Sequence, residues 1–223
     1  MKKTAIYATF AAALFFTACG GETETATEST TAVTTEAAAS ATGEGEVYQI
    51  AQEESNVKWH GTKVTGEHDG EIELENGQLT VNGDQLTGGT IVIDMNTITN
   101  RDLTDAEQNG KLVGHLKSDD FFGVEKYPTA TFEITGASPI ANAAAGEPNY
   151  NVQGNLTIKD KTEQVSFPAM VTMDNGAVNA KADVTVDRSK FDVRYGSETF
   201  FGNLGDKAIS DEFTVTFDVT ARK

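Results

Sequence analysis

Histidine side chains are common metal ligands, and this sequence contains three of them, His60, His68 and His115. Protein zinc sites take their ligands at short and defined spacings, and none of the three histidines has a partner at such a spacing. His60 and His68 are close enough in sequence to share a hairpin, which leaves a metal site there as the lesser alternative. We expect no metal and no cofactor.

Catalysis needs clustered nucleophiles, bases or metal ligands, and the sequence offers few. It contains neither a phosphate-binding glycine loop nor a Gly-x-Ser-x-Gly elbow. Two pairs of adjacent carboxylates are present, Glu53-Glu54 and Asp119-Asp120. Adjacent carboxylates in irregular segments are more often exposed to solvent than catalytic. Charged residues near position 190 predict a structural ion-pair cluster beside a loop, made of Asp187, Arg188, Asp192 and Arg194. We therefore expect a protein that is not an enzyme.

Aromatic residues in irregular segments suggest a different chemistry, the binding of an apolar molecule. They are Phe121, Phe122, Tyr127, Phe132, Phe191, Tyr195, Phe200 and Phe201. Because exposed phenylalanine pairs are costly, these residues either plug one end of a β-structure or line the mouth of an apolar cavity. An eight-stranded barrel has an interior that side chains can fill or that can hold one ligand, so both alternatives stay open.

The elements that carry these residues are strands, because the dominant hydrophobic period is two. In residues 213–220 and 180–187 apolar residues alternate strictly with Thr, Asp and Lys. Turn sequences separate the strands, among them residues 75–77 and 174–176, each of which contains an Asn-Gly pair. Short strands joined by tight turns predict an all-β antiparallel domain, either a sandwich or a barrel.

Two segments interrupt the alternation. Apolar residues at spacings of three and four predict a helix over about 105–118, capped by Asp102 or Thr104 and interrupted or restarted near Gly110. Residues 136–149 contain Pro139 and Pro148 among small residues, which predicts a loop.

The N-terminus has the layout of a secretory signal peptide, with two lysines, an apolar run of about 12 residues and small residues before Cys19. Cys19 is the only cysteine, and its position matches a bacterial lipobox, in which the thiol is acylated; simple cleavage at Ala18 is the alternative. Residues 20–46 consist mainly of Thr, Glu, Ala, Ser and Gly, which predicts a disordered tether. We thus divide the chain into a signal peptide (1–18), a lipidated cysteine and tether (19–46) and one domain (47–223).

The formal net charge of the chain is −17 at pH 7, and the sequence lacks the excess of positive charge that nucleic-acid binding requires. Nucleic-acid binding is therefore not expected. The predicted location is the cell envelope, with the chain exported and held to a membrane by its acyl anchor.

The order of motifs in the domain resembles the YceI-like family. Residues 115–132, which read HLKSDDFFGVEKYPTATF, are similar to the longest and most specific signature of that family. Shorter matches follow in the same order at residues 154–159 (GNLTIK), 188–191 (RSKF) and 209–213 (ISDEF). The sequence departs from many members around His60 and His68 and in its lipobox.

The resemblance implies a lipocalin-like antiparallel β-barrel of about eight strands with a short helical insertion. It also implies a carrier that holds an apolar lipid, such as a polyisoprenoid, inside the barrel. The alternative is an envelope interaction or stress-related structural protein with a filled barrel, and a homodimer is left open.

If the barrel is hollow, the expected lining residues come from the apolar strand faces and the aromatic clusters. They are Trp59, Ile91, Ile93, Met95, Leu116, Phe121, Phe122, Phe132, Ile134, Phe167, Phe200 and Phe201. Three cations near the helical insertion are the expected contacts of a polar head group: Arg101, Lys117 and Arg188.

Overall fold

The computed structural model describes residues 43–223. The predicted signal peptide, the lipidation of Cys19 and nearly all of the tether lie outside the described residues. No helix within 43–223 is long and apolar enough to cross a membrane.

The described chain forms nine strands and one α-helix. The strands are β1 (Glu46–Ile50), β2 (Asn56–Lys63), β3 (Gly66–Asn82), β4 (Gln85–Asp94), β5 (Thr129–Pro139), β6 (Tyr150–Ile158), β7 (Lys161–Asp174), β8 (Ala177–Asp187) and β9 (Ile209–Arg222). The helix α1 (Ala106–Lys117) lies between β4 and β5. Short 3-10 helices occupy Gln52–Glu54, Met95–Thr97, Arg188–Phe191 and Gly205–Lys207.

Strands β2 to β9 close into an eight-stranded antiparallel barrel, in which β3 pairs with both β2 and β4, and β9 pairs with both β8 and β2. Strand β1 extends the wall beyond the start of β2, because it pairs with Gln78–Val81 of β3 and with Ala221 and Arg222 of β9. The predicted fold class is confirmed. Among the described residues, the pairings that close the barrel lie within residues 56–222.

The predicted turn at residues 75–77 is wrong. These residues lie inside the 17-residue strand β3, where the pairing with β4 shifts register between Leu74 and Asn76. Gly77 is needed there for close packing, since a Cβ on it would lie 2.7 Å from the carbonyl oxygen of Thr90 and 2.5 Å from Cδ1 of Ile50. The Asn-Gly pair marks a β-bulge rather than a reversal of the chain.

Helix α1 runs through Gly110 without a break, and its N-cap is Asp105, whose side chain accepts a hydrogen bond from the backbone N–H of Gln108. The predicted interruption and the predicted caps are therefore wrong. The predicted loop at 136–149 begins later than expected, because β5 continues to Pro139.

The connections fall into two groups at opposite ends of the barrel. The β2–β3 turn, the β4–β5 connection with α1, the β6–β7 turn and the β8–β9 connection lie at one end, which we call the helix end. The β3–β4, β5–β6 and β7–β8 connections lie at the other end, and the described chain also begins there, where Thr87 donates a hydrogen bond to the carbonyl of Glu44.

Candidate functional site

The interior of the barrel is a cavity with an almost entirely apolar lining. Alternate residues of β2 to β9 point inward, and helix α1 and the residues after it add further apolar side chains from the helix end. The cavity has a volume of about 170 Å³. Because a single water needs about 10–15 Å³, the barrel is hollow.

The residues that line the cavity are unevenly buried. Inward residues of β4, β5 and β6, such as Ile93, Phe132 and Leu156, are buried among other side chains. Inward residues on the opposite wall line the same cavity but are only partly buried: Trp59, Val165, Phe167, Ala180, Ala182, Phe213, Val215 and Phe217. These side chains therefore present unfilled apolar surface to the lumen.

Small side chains on β8 help to keep the lumen open. Ala180 pairs with Val219 of β9, and Ala182 pairs with Phe217, so both alanines lie on the inward face. Neither alanine is fully buried, although both belong to the barrel interior. A large residue at either position would occupy the space that is empty here.

Aromatic side chains close the cavity at the helix end. The rings of Phe121 and Phe122 make an edge-to-face contact with centroids 5.1 Å apart, and Phe122 lies 6.4 Å from Phe213. His115 continues this contact, with its ring 5.8 Å from Phe121 and 4.3 Å from Tyr195. Such edge-to-face geometries are favourable for aromatic rings. The motif over 115–122 therefore forms a lid over the barrel.

Two glycines allow close packing of cavity residues. A Cβ on Gly154 would lie 2.5 Å from the ring of Phe132, so the ring rests directly on this strand. A Cβ on Gly70 would lie 2.6 Å from Nε1 of Trp59, whose indole N–H donates to the carbonyl of Thr99 at 3.0 Å. Both residues thus position an aromatic wall of the cavity.

Ten of the twelve predicted lining residues line the cavity: Trp59, Ile91, Ile93, Met95, Leu116, Phe121, Phe122, Phe132, Ile134 and Phe167. Phe200 and Phe201 do not. They lie in the β8–β9 connection with exposed side chains, because the backbone N–H groups of both bind the carbonyl of Ser197 in a turn outside the barrel.

The sequence interpretation left out much of the lumen wall on β7, β8 and β9. The strict alternation in residues 180–187 and 213–220 marks the inward faces that contain Ala182, Phe213 and Phe217. That pattern alone does not distinguish a wall next to empty space from a filled core. Ala180 and Ala182 were the available signal, since two alanines on an inward face leave volume unfilled.

The three predicted head-group cations are engaged with protein atoms. Arg188 is buried beside the cavity. Its guanidinium donates hydrogen bonds of 2.8 to 3.0 Å to four backbone carbonyls, those of Val193, Tyr195, Ile209 and Ser210. Its Nη2 also lies 3.3 Å from Oδ1 of Asp211. The carbonyls take four of the five N–H donors and Asp211 compensates the charge, so Arg188 holds the β8–β9 connection in place.

Arg101 and Lys117 do not line the cavity. Arg101 pairs with Glu71 on the outer surface, and the Nζ of Lys117 donates to the carbonyl of Asn96 at 2.6 Å.

The charged cluster predicted near residue 190 forms differently from the expectation. Arg188 pairs with Asp211, which is distant in sequence, while Arg194 pairs with Asp192. Burial opposes ionisation of Asp211, but the hydroxyls of Ser197 and Thr199 and the Arg188 guanidinium keep the pKa of Asp211 below its usual value.

The histidines of the β2–β3 hairpin bind separate carboxylates. Nε2 of His60 lies 3.2 Å from Glu67, and Nδ1 of His68 lies 2.8 Å from Asp102. Partial burial raises the pKa of Asp102, but hydrogen bonds from His68, Asn100 and the backbone N–H of Asp69 outweigh it and lower the pKa to about 2. Within residues 43–223 no group of three or more His, Cys, Asp or Glu side chains could hold a metal ion.

Comparison with known proteins identifies related sequences. A family model for the YceI-like domain matches residues 48–221. A UPF0312 protein of Azotobacter vinelandii is 38% identical over 55 residues, which cover 25% of this chain and 26% of that protein. The chain thus spans about a quarter of the length of the curated relative it matches.

Two solved structures share the fold. BcnA of Burkholderia cenocepacia has a TM-score of 0.59 at 24% identity, covering 77% of this chain and 99% of that chain. A polyisoprenoid binding domain from Saccharophagus degradans, implicated in plant cell wall breakdown, has a TM-score of 0.57 at 16% identity, covering 78% and 97%. At these identities the similarity concerns the fold.

Proposed function

Since this chain belongs to the YceI-like family and its barrel is hollow, we propose that it binds an apolar lipid of the polyisoprenoid type inside the barrel. The observation that carries the proposal is the incompletely covered apolar wall of β2, β7, β8 and β9. Covering such apolar surface with a ligand is favourable by about 25 cal/mol for each Å² that is removed from water.

The chemistry of the lining supports a hydrocarbon ligand rather than a polar one. The single charged side chain among the described lining residues is Arg188, and its guanidinium already binds four backbone carbonyls and pairs with Asp211. A charged ligand buried in this lumen would lose its hydration without gaining a partner. A prenyl chain loses no hydrogen bonds on transfer from water into the barrel.

The test is native and denaturing mass spectrometry of segment 43–223, exported behind a cleavable leader and purified without detergent. We expect an added mass of a few hundred daltons or more that extracts into organic solvent. A bare polypeptide, unchanged after incubation with prenyl lipids, would contradict the proposal and favour a partner protein as the ligand.

A pair of neighbouring variants on β7 locates the bound molecule. Phe167 faces the lumen, whereas Ser166 is exposed on the outer face of the same strand. Phe167→Asp places a carboxylate against the hydrocarbon and should abolish retention, while Ser166→Asp should leave the added mass unchanged. Equal retention in both folded variants would place the ligand elsewhere.

We also propose that the protein is exported and held at a membrane of the cell envelope through acylated Cys19. The lipobox-like sequence before Cys19 supports this location. Growth with a labelled fatty acid should label the wild-type protein and leave Cys19→Ser unlabelled. Label in both proteins, or in neither, would contradict acylation at this residue.

A further inference from the structure

The exposed large apolar side chains of the barrel are distributed unevenly. Within residues 43–223 they are Val47, Val64, Tyr195, Phe200 and Phe201, with exposed fractions of 42%, 65%, 48%, 37% and 49%. Val47 is on β1, next to Thr80 of β3 at the end opposite α1. The other four lie in the β2–β3 turn and the β8–β9 connection, both at the helix end.

These four residues lie on segments that are fixed to one another. The backbone N–H of Val64 donates to the carbonyl of Ala208 at 3.2 Å, which joins the β2–β3 turn to the end of the β8–β9 connection. The N–H groups of Phe200 and Phe201 donate to Ser197, whose own N–H donates to Arg194. The exposed apolar side chains on these joined segments are together called the mouth surface: Val64, Tyr195, Phe200 and Phe201.

Cations flank the mouth surface. The guanidinium carbon of Arg194 lies 4.9 Å from the ring centroid of Phe200, and Lys207 lines the same groove as Tyr195 and Phe201. The groove also contains three carboxylates, of which Asp192 pairs with Arg194 and Asp119 with Lys126, while Asp120 is exposed. Aromatic side chains beside lysine and arginine suit the boundary between lipid head groups and acyl chains.

The cavity approaches the surface at the same end of the barrel. Gly61 shares the inward face of β2 with Val57 and Trp59, and a Cβ built on it would meet no atom within 4 Å. Thr62, the next lining residue, is exposed to solvent. The wall is also irregular here, because the β2–β9 register shifts between Gly61 and Lys63.

We propose that the mouth surface docks on a lipid bilayer, so that a lipid passes between the membrane and the lumen beside Gly61. The occupant is a bilayer because the mouth surface lies at the end where the apolar cavity approaches solvent. Arg194 and Lys207 also lie beside it and match phosphate head groups. The transfer of a lipid rests on the proposed function, whereas docking on a bilayer can be measured independently of bound lipid.

The test is sedimentation of segment 43–223 with phosphatidylcholine vesicles. Replacing both Phe200 and Phe201 with serine should lower the partition coefficient at least about tenfold, since each inserted ring loses apolar burial. Val64→Ser should lower it about threefold. Val47→Ser is the control, because Val47 is the same residue type and is also exposed but lies at the opposite end.

Several outcomes would overturn docking. They are absence of sedimentation with vesicles, equal loss with Val47→Ser, and a concentration-dependent dimer that the Phe200 and Phe201 replacements abolish. Mass spectrometry on the same proteins separates the two proposals. Bound lipid without vesicle binding would reject docking and support the proposed function. Vesicle binding without bound lipid would support docking and reject the proposed function.

Discussion

The guanidinium carbon of Arg188 lies 5.4 Å from the ring centroid of Phe121, at the point where two distant connections of the barrel meet. Phe121 comes from the β4–β5 connection after α1, and Arg188 begins the β8–β9 connection. The same guanidinium binds backbone carbonyls on both sides of residues 196–208. This pair therefore links the aromatic lid to the segment that holds Tyr195, Phe200 and Phe201.

Arg188→Ala should lower the free energy of unfolding by about 3 kcal/mol or more, because it leaves buried carbonyls and Asp211 without their partner. Arg188→Lys should recover only part of this loss, since an ammonium has three donors and no planar fork. Urea unfolding measures both changes. The control is Arg101→Ala, which breaks an exposed pair with Glu71 and should cost less than about 1 kcal/mol. Equal losses at positions 188 and 101 would contradict this role.

Ala182→Phe should be tolerated by the fold and should displace the bound lipid, because the ring enters empty lumen. Ala221→Phe is the contrasting change on the neighbouring strand, where the side chain is 0% exposed. There the added ring should cost at least about 1–3 kcal/mol through overpacking. Thermal unfolding and retained lipid mass distinguish the two. Comparable destabilisation by both variants would mean that the lumen beside β8 is not free.

Gly61→Phe should slow lipid uptake while leaving the barrel folded, because the new ring would occupy the gap beside Thr62. The measurement is the rate at which delipidated protein takes up a fluorescent prenyl lipid. Lys58→Phe provides the control, since Lys58 is exposed on the outer face of the same strand. If uptake is as fast in Gly61→Phe as in Lys58→Phe, the lipid enters at another point.

Asp102 should make the protein sensitive to acid. Its pKa in the folded state is about 2, against a usual value of 3.8, so the unfolded chain takes up the proton first. The stabilisation is complete above about pH 4 and is lost as the pH falls toward about 2. Urea midpoints at about pH 5 and pH 2.5 should fall less in Asp102→Asn than in the wild type. Asp120→Asn, at an exposed site, should behave like the wild type, and an identical fall in all three proteins would exclude this contribution.

Much of this fold was predictable from local patterns. Alternating residues in 180–187 and 213–220 identified strands correctly, because a strand with one apolar face has a period of two regardless of its neighbours. The aromatic residues at 121 and 122 line the cavity, whereas the pair at 200 and 201 is exposed, so a phenylalanine pair in the sequence did not by itself indicate a position in the barrel. The Asn-Gly pair at 76–77 led to the wrong prediction of a turn, because the same dipeptide suits both a turn and a β-bulge.

What the sequence determined by itself was the antiparallel β architecture, the position of the helix and the apolar inward faces, all of which follow from short-range periodicity. The tertiary structure alone decided that the lumen is hollow, that Arg188 binds carbonyls of the β8–β9 connection, and that Phe200 and Phe201 face outward. These outcomes depend on contacts between residues far apart in the chain. Whether an inward alanine such as Ala182 meets a neighbour or empty space is set by the opposite wall, which no local pattern records.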